Sequence, residues 1–353
     1  MAAAKMKKIT VYAARDDKDD ILRSLMMLGR VEISEADEQS VFSRECADTE
    51  RLYAEHMSLA RGIEIIGQYT PGKKPRVKAQ IQSGDLLDGV HTEDCLELAR
   101  RLEALDVKIR GLETEAQNEK SFIDSLTPWA GLDIPLDCDG TENAALILGV
   151  VPLSADVKAE ELYGVVPESE VFVVSSDTQW RYLALVCLCG RLEEVPAVLA
   201  RWFFSVVSFK NANGTAADNI KKARCRLDDL TAEAARFKSE VEAAAVREDD
   251  LKLCYDHIGT KIARAEASER LAGTRFVVAL AGWLPADSEP EVIVALSKYQ
   301  CALDIRDPSP DEAESAPVTR GRFFTKARKG PAFEPLAIET RYVSVKNESA
   351  QGG

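Results

Sequence analysis

Residues 217–270 contain one glycine, Gly259, and no proline, and apolar or small side chains recur through them at alternating steps of three and four. The series is Ile220, Ala223, Leu227, Leu230, Ala234, Phe237, Val241 and Ala244, then Leu251, Tyr255, Ile258, Ile262 and Ala265, with Glu248 as its one interruption. That spacing keeps a single stripe of a helix facing a partner, as in a coiled-coil seam. At about 1.5 Å per residue an unbroken helix of this length is roughly 80 Å long, longer than a compact domain is wide. The spacing therefore predicts a rod.

An apolar stripe of that length needs a partner, and the chain supplies one upstream. Leu98, Leu102, Leu105, Ile109, Leu112, Ala116, Ile123 and Leu126 follow the same steps, as do Leu52, Leu59, Ile63 and Ile66. Between these two segments lies QYTPGKKPRVKAQIQSGDLLDGVH, where Pro71, Gly72 and Pro75 interrupt helix. We expect residues 41–127 and 215–270 to form an antiparallel coiled coil whose outgoing arm is broken once. Glu113, Glu115, Glu119, Asp228, Asp229 and Glu233 then lie on its solvated faces. His56 falls on the seam, where packing or a hydrogen bond accounts for it.

The segments at either end of this rod read as small α/β units. Within residues 128–214, strands at 144–151, 171–175, 180–189 and 203–209 alternate with helices at 154–163 and 192–202. The order βαββαβ is that of a ferredoxin-like unit, and SDTQ, residues 176–179, supplies its central hairpin. The chain ends complete a second such unit. Strand 8–13, helix 18–28 and strand 30–34 give one half; strand 274–284, helix 288–299 and strand 301–306 give the other. An antiparallel hairpin returns to its origin, so residues 1–40 and 271–310 are expected to close one sheet from both ends of the chain. The expected fold is α+β, with two ferredoxin-like α/β lobes joined by a long, bent antiparallel helical coiled coil in a dumbbell. Residues 311–353 are expected to be a polar and basic tail.

Charge and composition narrow the function. A formal net charge of -14 over 353 residues disfavours nucleic-acid binding, which rests on Lys and Arg neutralising phosphates. Apolar runs stay under about ten residues, against the roughly 20 needed to span a bilayer as a helix. No signal peptide is read at the start, and the chain is expected in the cytoplasm. The eight cysteines form no CxxC pair; Cys187 and Cys189, two apart in an apolar run, are read as buried, reduced thiols on one face. The sequence carries no phosphate loop, dinucleotide turn, HExxH or GxSxG, and its three histidines are far apart. LDCDGTEN, residues 136–143, lacks the spacing of a calcium loop and reads as a polar turn. No catalytic, cofactor-binding or metal-ligating residue is assigned. In VTRGRFFTKARKGPAFEPL, residues 318–336, five basic residues flank Phe323 and Phe324, a composition suited to anionic lipid headgroups.

KMKKITVYA with LGRVEI at residues 28–33, then rod helices, AGWLP at 281–285 and PAFEPL at 331–336 together resemble the N-terminal cytoplasmic half of subunit I, or subunit a, of V-type and A-type ATPases. The resemblance covers about residues 5–336 and lies in the order of these pieces rather than in any one of them. It implies a stator without catalysis of its own, placed at the cytoplasmic face of a membrane. Its lobes would be gripped by peripheral-stalk heterodimers of E and G type subunits, and a membrane half beside the rotor ring would carry proton or sodium transport. After PAFEPL the sequence continues AIETRYVSVKNESAQGG without that family's apolar helices, so the channel arginine has no position here. The alternatives are a coiled-coil tether that pairs between chains and a small-ligand sensing module with a ferredoxin-like lobe.

Overall fold

The computed structural model describes residues 5–35, 43–44, 49–72, 78–209, 212–317 and 331–346. In chain order the elements begin with β1 (Met6–Ala14), α1 (Lys18–Leu28), β2 (Glu32–Ser34), β3 (Ser43–Arg44), α2 (Thr49–Tyr69), β4 (Gln80–Gln82), α3 (Ser83–Asp88) and α4 (Glu93–Leu126). They continue with β5 (Ala144–Pro152), α5 (Ala159–Val165), β6 (Glu170–Ser176), β7 (Trp180–Leu188), α6 (Val195–Arg201), β8 (Ser205–Val206), α7 (Ala216–Ala244) and α8 (Glu248–Glu269). The last are β9 (Ala272–Gly273), β10 (Val277–Pro285), α9 (Glu289–Leu296), β11 (Cys301–Arg306), α10 (Pro310–Ser315) and β12 (Ser344–Lys346). The fold is α+β. Two compact units divide it: residues 1–104 with 241–353, and residues 105–240. The helical segments expected to stand as a rod of their own are shared between these units.

In the first unit the sheet runs β11-β1-β10, and β2 pairs with the far side of β10, all antiparallel. Taken as a βαββαβ unit, this is strand order 4-1-3-2, so strands from the two chain ends alternate. Alternation decides the buried face: Ile9, Val11 and Ala13 sit beside Gly282, Leu280 and Val278. Ile21, Leu22 and Leu25 of α1 and Val292 and Leu296 of α9 close over that face. Gly282 is fixed by close approach, because a Cβ there would lie 2.4 Å from the Glu32 carbonyl oxygen, which is backbone and cannot swing away. Gly282→Ala is expected to cost about 3 kcal/mol, since the two strands must part. Thermal melting checks this, and an unchanged midpoint would contradict the close approach.

In the second unit the sheet order is β6-β7-β5-β8, again 4-1-3-2 read from its last strand. Both faces are covered. Val151, Leu183, Leu185 and Cys187 meet Leu162 of α5 and Val195 and Val198 of α6. Leu148 and Ala184 meet Trp129 with Ala216, Ile220 and Ala223 of α7. Burial on two faces explains why β7 is apolar at nearly every position rather than alternating.

The helices pair antiparallel, with numbers rising on one arm as they fall on the other. In the second unit Glu113 of α4 meets Lys238 of α7 at 2.7 Å, and Glu119 meets Arg226 at 3.5 Å. In the first unit α2 lies along α8, with Thr49 donating to Glu269 at 3.3 Å and Tyr53 donating to Glu266. The expected break in the outgoing arm lies between α2 and α4. Gly62 there lets α2 approach Ala99, 3.2 Å from where a Cβ would be.

Several expectations need correction. The segment 217–270 is two helices, because residues Ala245–Arg247 tighten to a 3-10 turn beside Glu248, the residue that interrupts the seam. Beyond that turn, α8 lies along α2. The run read as non-helical between the arms holds β4 and the short α3. In the second unit α5 begins at Ala159, after a turn closed by the Ala155 amide on the Pro152 carbonyl. The last strand is only Ser205–Val206, preceded by Phe203 at φ 55°. Residues 311–353, expected as a tail, include α10 and a strap, residues 331–346, built into the first unit.

Candidate functional site

The strap is held by one buried carboxylate. Asp256 of α8 is 2% exposed, and its oxygens accept from the backbone amides of Arg341, Tyr342 and Val343, each at 2.8 Å. Upstream on the strap, the Leu336 amide donates to the Val31 carbonyl at 2.8 Å and the Glu334 amide to Glu32 Oε2 at 2.9 Å. Downstream, β12 pairs parallel with β4. Burial pushes the Glu32 carboxyl above its ordinary value, against the lowering effect of that amide.

Beside the anchor, the His56 ring stacks on Tyr255 with centroids 3.8 Å apart, and Tyr342 meets Tyr255 edge-on at 5.2 Å. The Arg341 guanidinium covers both tyrosines, 6.0 Å from one ring centroid and 5.2 Å from the other. Burial holds the His56 imidazole below its ordinary value, which keeps it neutral at pH 7. His56, Tyr255, Asp256 and Arg341 line an open cleft of about 480 Å³ that Glu266, Arg270 and Glu334 also reach. Since three backbone donors occupy the Asp256 oxygens, this carboxylate anchors chain instead of taking a proton from a substrate. Deeper on α8, His257 Nδ1 lies 2.6 Å from the Leu86 carbonyl of α3, so Nδ1 carries the proton and donates.

The second unit presents two apolar features. β6 is a sheet edge paired on one side, by β7, among the described residues, and Phe172 and Val173 on it are 51% and 62% exposed. An unpaired strand edge can accept another chain's backbone. A separate cavity of about 620 Å³ opens between α6 and β5 and β8, lined by Ile147, Leu192, Val195, Leu199, Phe204 and Val206.

Residues singled out by the sequence fall as follows. His56 packs on an aromatic ring, as its seam position predicts. In the turn 136–143, Asp137 accepts from the Gly214 amide at 3.0 Å and the Asp139 carbonyl from the Leu146 amide at 2.9 Å. Its polar atoms are thus used to join the chain to itself. Trp283 is buried in β10 between Lys8 and Glu32. Cys187 and Cys189 do not share a buried face: Cys187 is in the core, whereas β7 ends at Leu188 and Cys189 is exposed in the following turn. The basic stretch 318–330 lies outside the described residues. Among the described residues, no group of three or more His, Cys, Asp or Glu is placed to hold a metal ion, and no helix is long and apolar enough to cross a membrane. Sequence reasoning missed Asp256, whose partners lie some 85 residues away and leave no local signature.

No protein-family model and no curated protein matches the chain. Among solved structures it is similar to one described as the crystal structure of the cytoplasmic N-terminal domain of subunit I, homolog of subunit a, of V-ATPase. The alignment covers 85% of this chain and 99% of that one, at 16% identity and a TM-score of 0.43.

Proposed function

We propose that this chain is a stator element, the cytoplasmic half of subunit I or a in a rotary V- or A-type ATPase. In this role it links peripheral stalks to the membrane sector, and the complex it serves couples ATP hydrolysis or synthesis to proton or sodium transport. The observation that supports this best is the closure of one βαββαβ sheet by both chain ends, β1 and β2 interleaved with β10 and β11, with a second βαββαβ sheet inserted between the two helical arms. A part that transmits force needs its two chain ends locked together, and interleaved antiparallel strands load many hydrogen bonds at once. The sequence resemblance in KMKKITVYA, LGRVEI, AGWLP and PAFEPL points to the same role.

On this reading the partners are the E and G type stalk heterodimers at the two sheet-bearing units, and the exposed β6 edge is one place they grip. The rotor ring and membrane sector are reached through a membrane half, and the basic stretch 318–330 sits against lipid headgroups. The chain itself binds no nucleic acid, needs no cofactor and catalyses no reaction. The test is to mix the full chain with the purified stalk heterodimer of the same organism and measure mass by light scattering on a sizing column. A complex of defined stoichiometry is the expected result; two separate peaks at low salt would overturn the proposal. A second reading, small-ligand sensing, draws on the apolar cavity of about 620 Å³. It requires a ligand whose binding raises the melting midpoint of the chain alone.

A further inference from the structure

Cys95 in the first turn of α4 and Cys254 in the second turn of α8 face each other inside the first unit, 4% and 2% exposed. Their contacts are reciprocal. Cys95 Sγ donates to the Asp250 carbonyl at 3.7 Å, and Cys254 Sγ donates to the His91 carbonyl at 3.7 Å. Each of these carbonyls lies four residues before the opposite cysteine, so each thiol rests on the helical turn from which the other projects. The neighbouring Cys95, then burial, hold Cys254 above the ordinary thiol range, while Cys254 beside it, with Arg247 nearby, draws Cys95 below it.

We propose that Cys95 and Cys254 are an oxidisable dithiol whose disulfide braces α4 to α8 beside the 245–247 break when the chain meets a low-molecular-weight disulfide. In the first step the Cys95 thiolate attacks one sulfur of the small disulfide, forming a mixed disulfide and expelling one thiolate. Cys254 then gives its proton to solvent and attacks the Cys95 sulfur, expelling the second thiolate. Two protein thiols are oxidised and one small disulfide is reduced to two thiols. The bond sets the two sulfurs about 2.05 Å apart, joining side chains that already rest on each other's helical turns. The bond closes a chain loop that contains all of residues 105–240 and the 3-10 turn at 245–247. A stator whose helical junction stiffens under oxidation is the consequence, and this last step rests on the proposed function; the disulfide itself does not.

The experiment uses the full reduced chain, incubated with oxidised glutathione, quenched with an alkylating reagent and digested without reductant. Two of the eight thiols are expected to disappear, with one linked peptide pair holding Cys95 and Cys254, faster migration on a non-reducing gel and full reversal by dithiothreitol. Cys95→Ser and Cys254→Ser each abolish the faster band. The wild-type peptide map decides the matter even where a serine variant folds poorly. Alkylated Cys95 and Cys254 under conditions that glutathionylate the exposed Cys189 and Cys225 would overturn the proposal, as would a linked pair of any other two cysteines.

Discussion

Leu251→Asp lowers the thermal midpoint by roughly 10 °C or more, whereas Leu230→Asp, the same change on the same seam, lowers it by only a few degrees. Leu251 of α8 is fully buried, whereas Leu230 of α7 is half-buried. Replacing a fully buried leucine costs about 2–5 kcal/mol in lost burial and cavity, and an unpaired carboxylate in its place adds a desolvation penalty. At a half-buried site water reaches the carboxylate and about 1 kcal/mol remains. For a unit of this size each kcal/mol moves the midpoint about 2–4 °C. Circular dichroism melts of the two variants check both numbers. Equal shifts would mean that the two ends of the seam are packed alike, contrary to the structure.

Asp256→Ala releases the strap. Three buried amides lose a charged acceptor at once, and hydrogen bonds to a charged group are each worth about 1.5–3 kcal/mol. Because water enters once the strap lifts, the net loss is expected at about 3–5 kcal/mol rather than the full sum. Asp256→Asn keeps one carbonyl oxygen toward the strap and loses less, about 2 kcal/mol. The measurement is amide hydrogen exchange at residues 341–343, together with limited proteolysis of the segment 331–346. Slow exchange in the wild type and fast exchange in Asp256→Ala is the expected pattern. Equal protection in both proteins would show that β12 pairing, not the carboxylate, holds the strap.

The sheets were legible because each strand and helix announces itself locally. The alternation through ITVYA and the apolar runs of β5 and β7, bounded by turns, need no distant partner to be recognised. The pairing of the two chain ends followed from connectivity alone, since an antiparallel pair of helical arms must come back to its start. Glu248 marked the helix break, yet it read as a tolerated flaw because a single polar residue can face solvent. What escaped was burial of polar residues on the non-seam faces of α8. Asp256, His257 and Thr260 sit where the period predicts water, yet all three are buried, with the strap bonded to Asp256 and α3 to His257. Those partners, Leu86 and residues 341–343, lie so far along the chain that no window of sequence contains both sides. The Cys95 and Cys254 thiols were invisible for the same reason: a pair across two helices has no spacing motif.

The most direct measurement is hydrogen exchange on the full chain, alone and with the peripheral-stalk heterodimer, resolved by peptide. The account predicts slowed exchange on both sheet-bearing units, including β6 around Phe172 and Val173, with α7 between Leu227 and Phe237 unchanged. An exchange pattern identical with and without the heterodimer, at concentrations that saturate a micromolar interaction, would contradict the stator assignment.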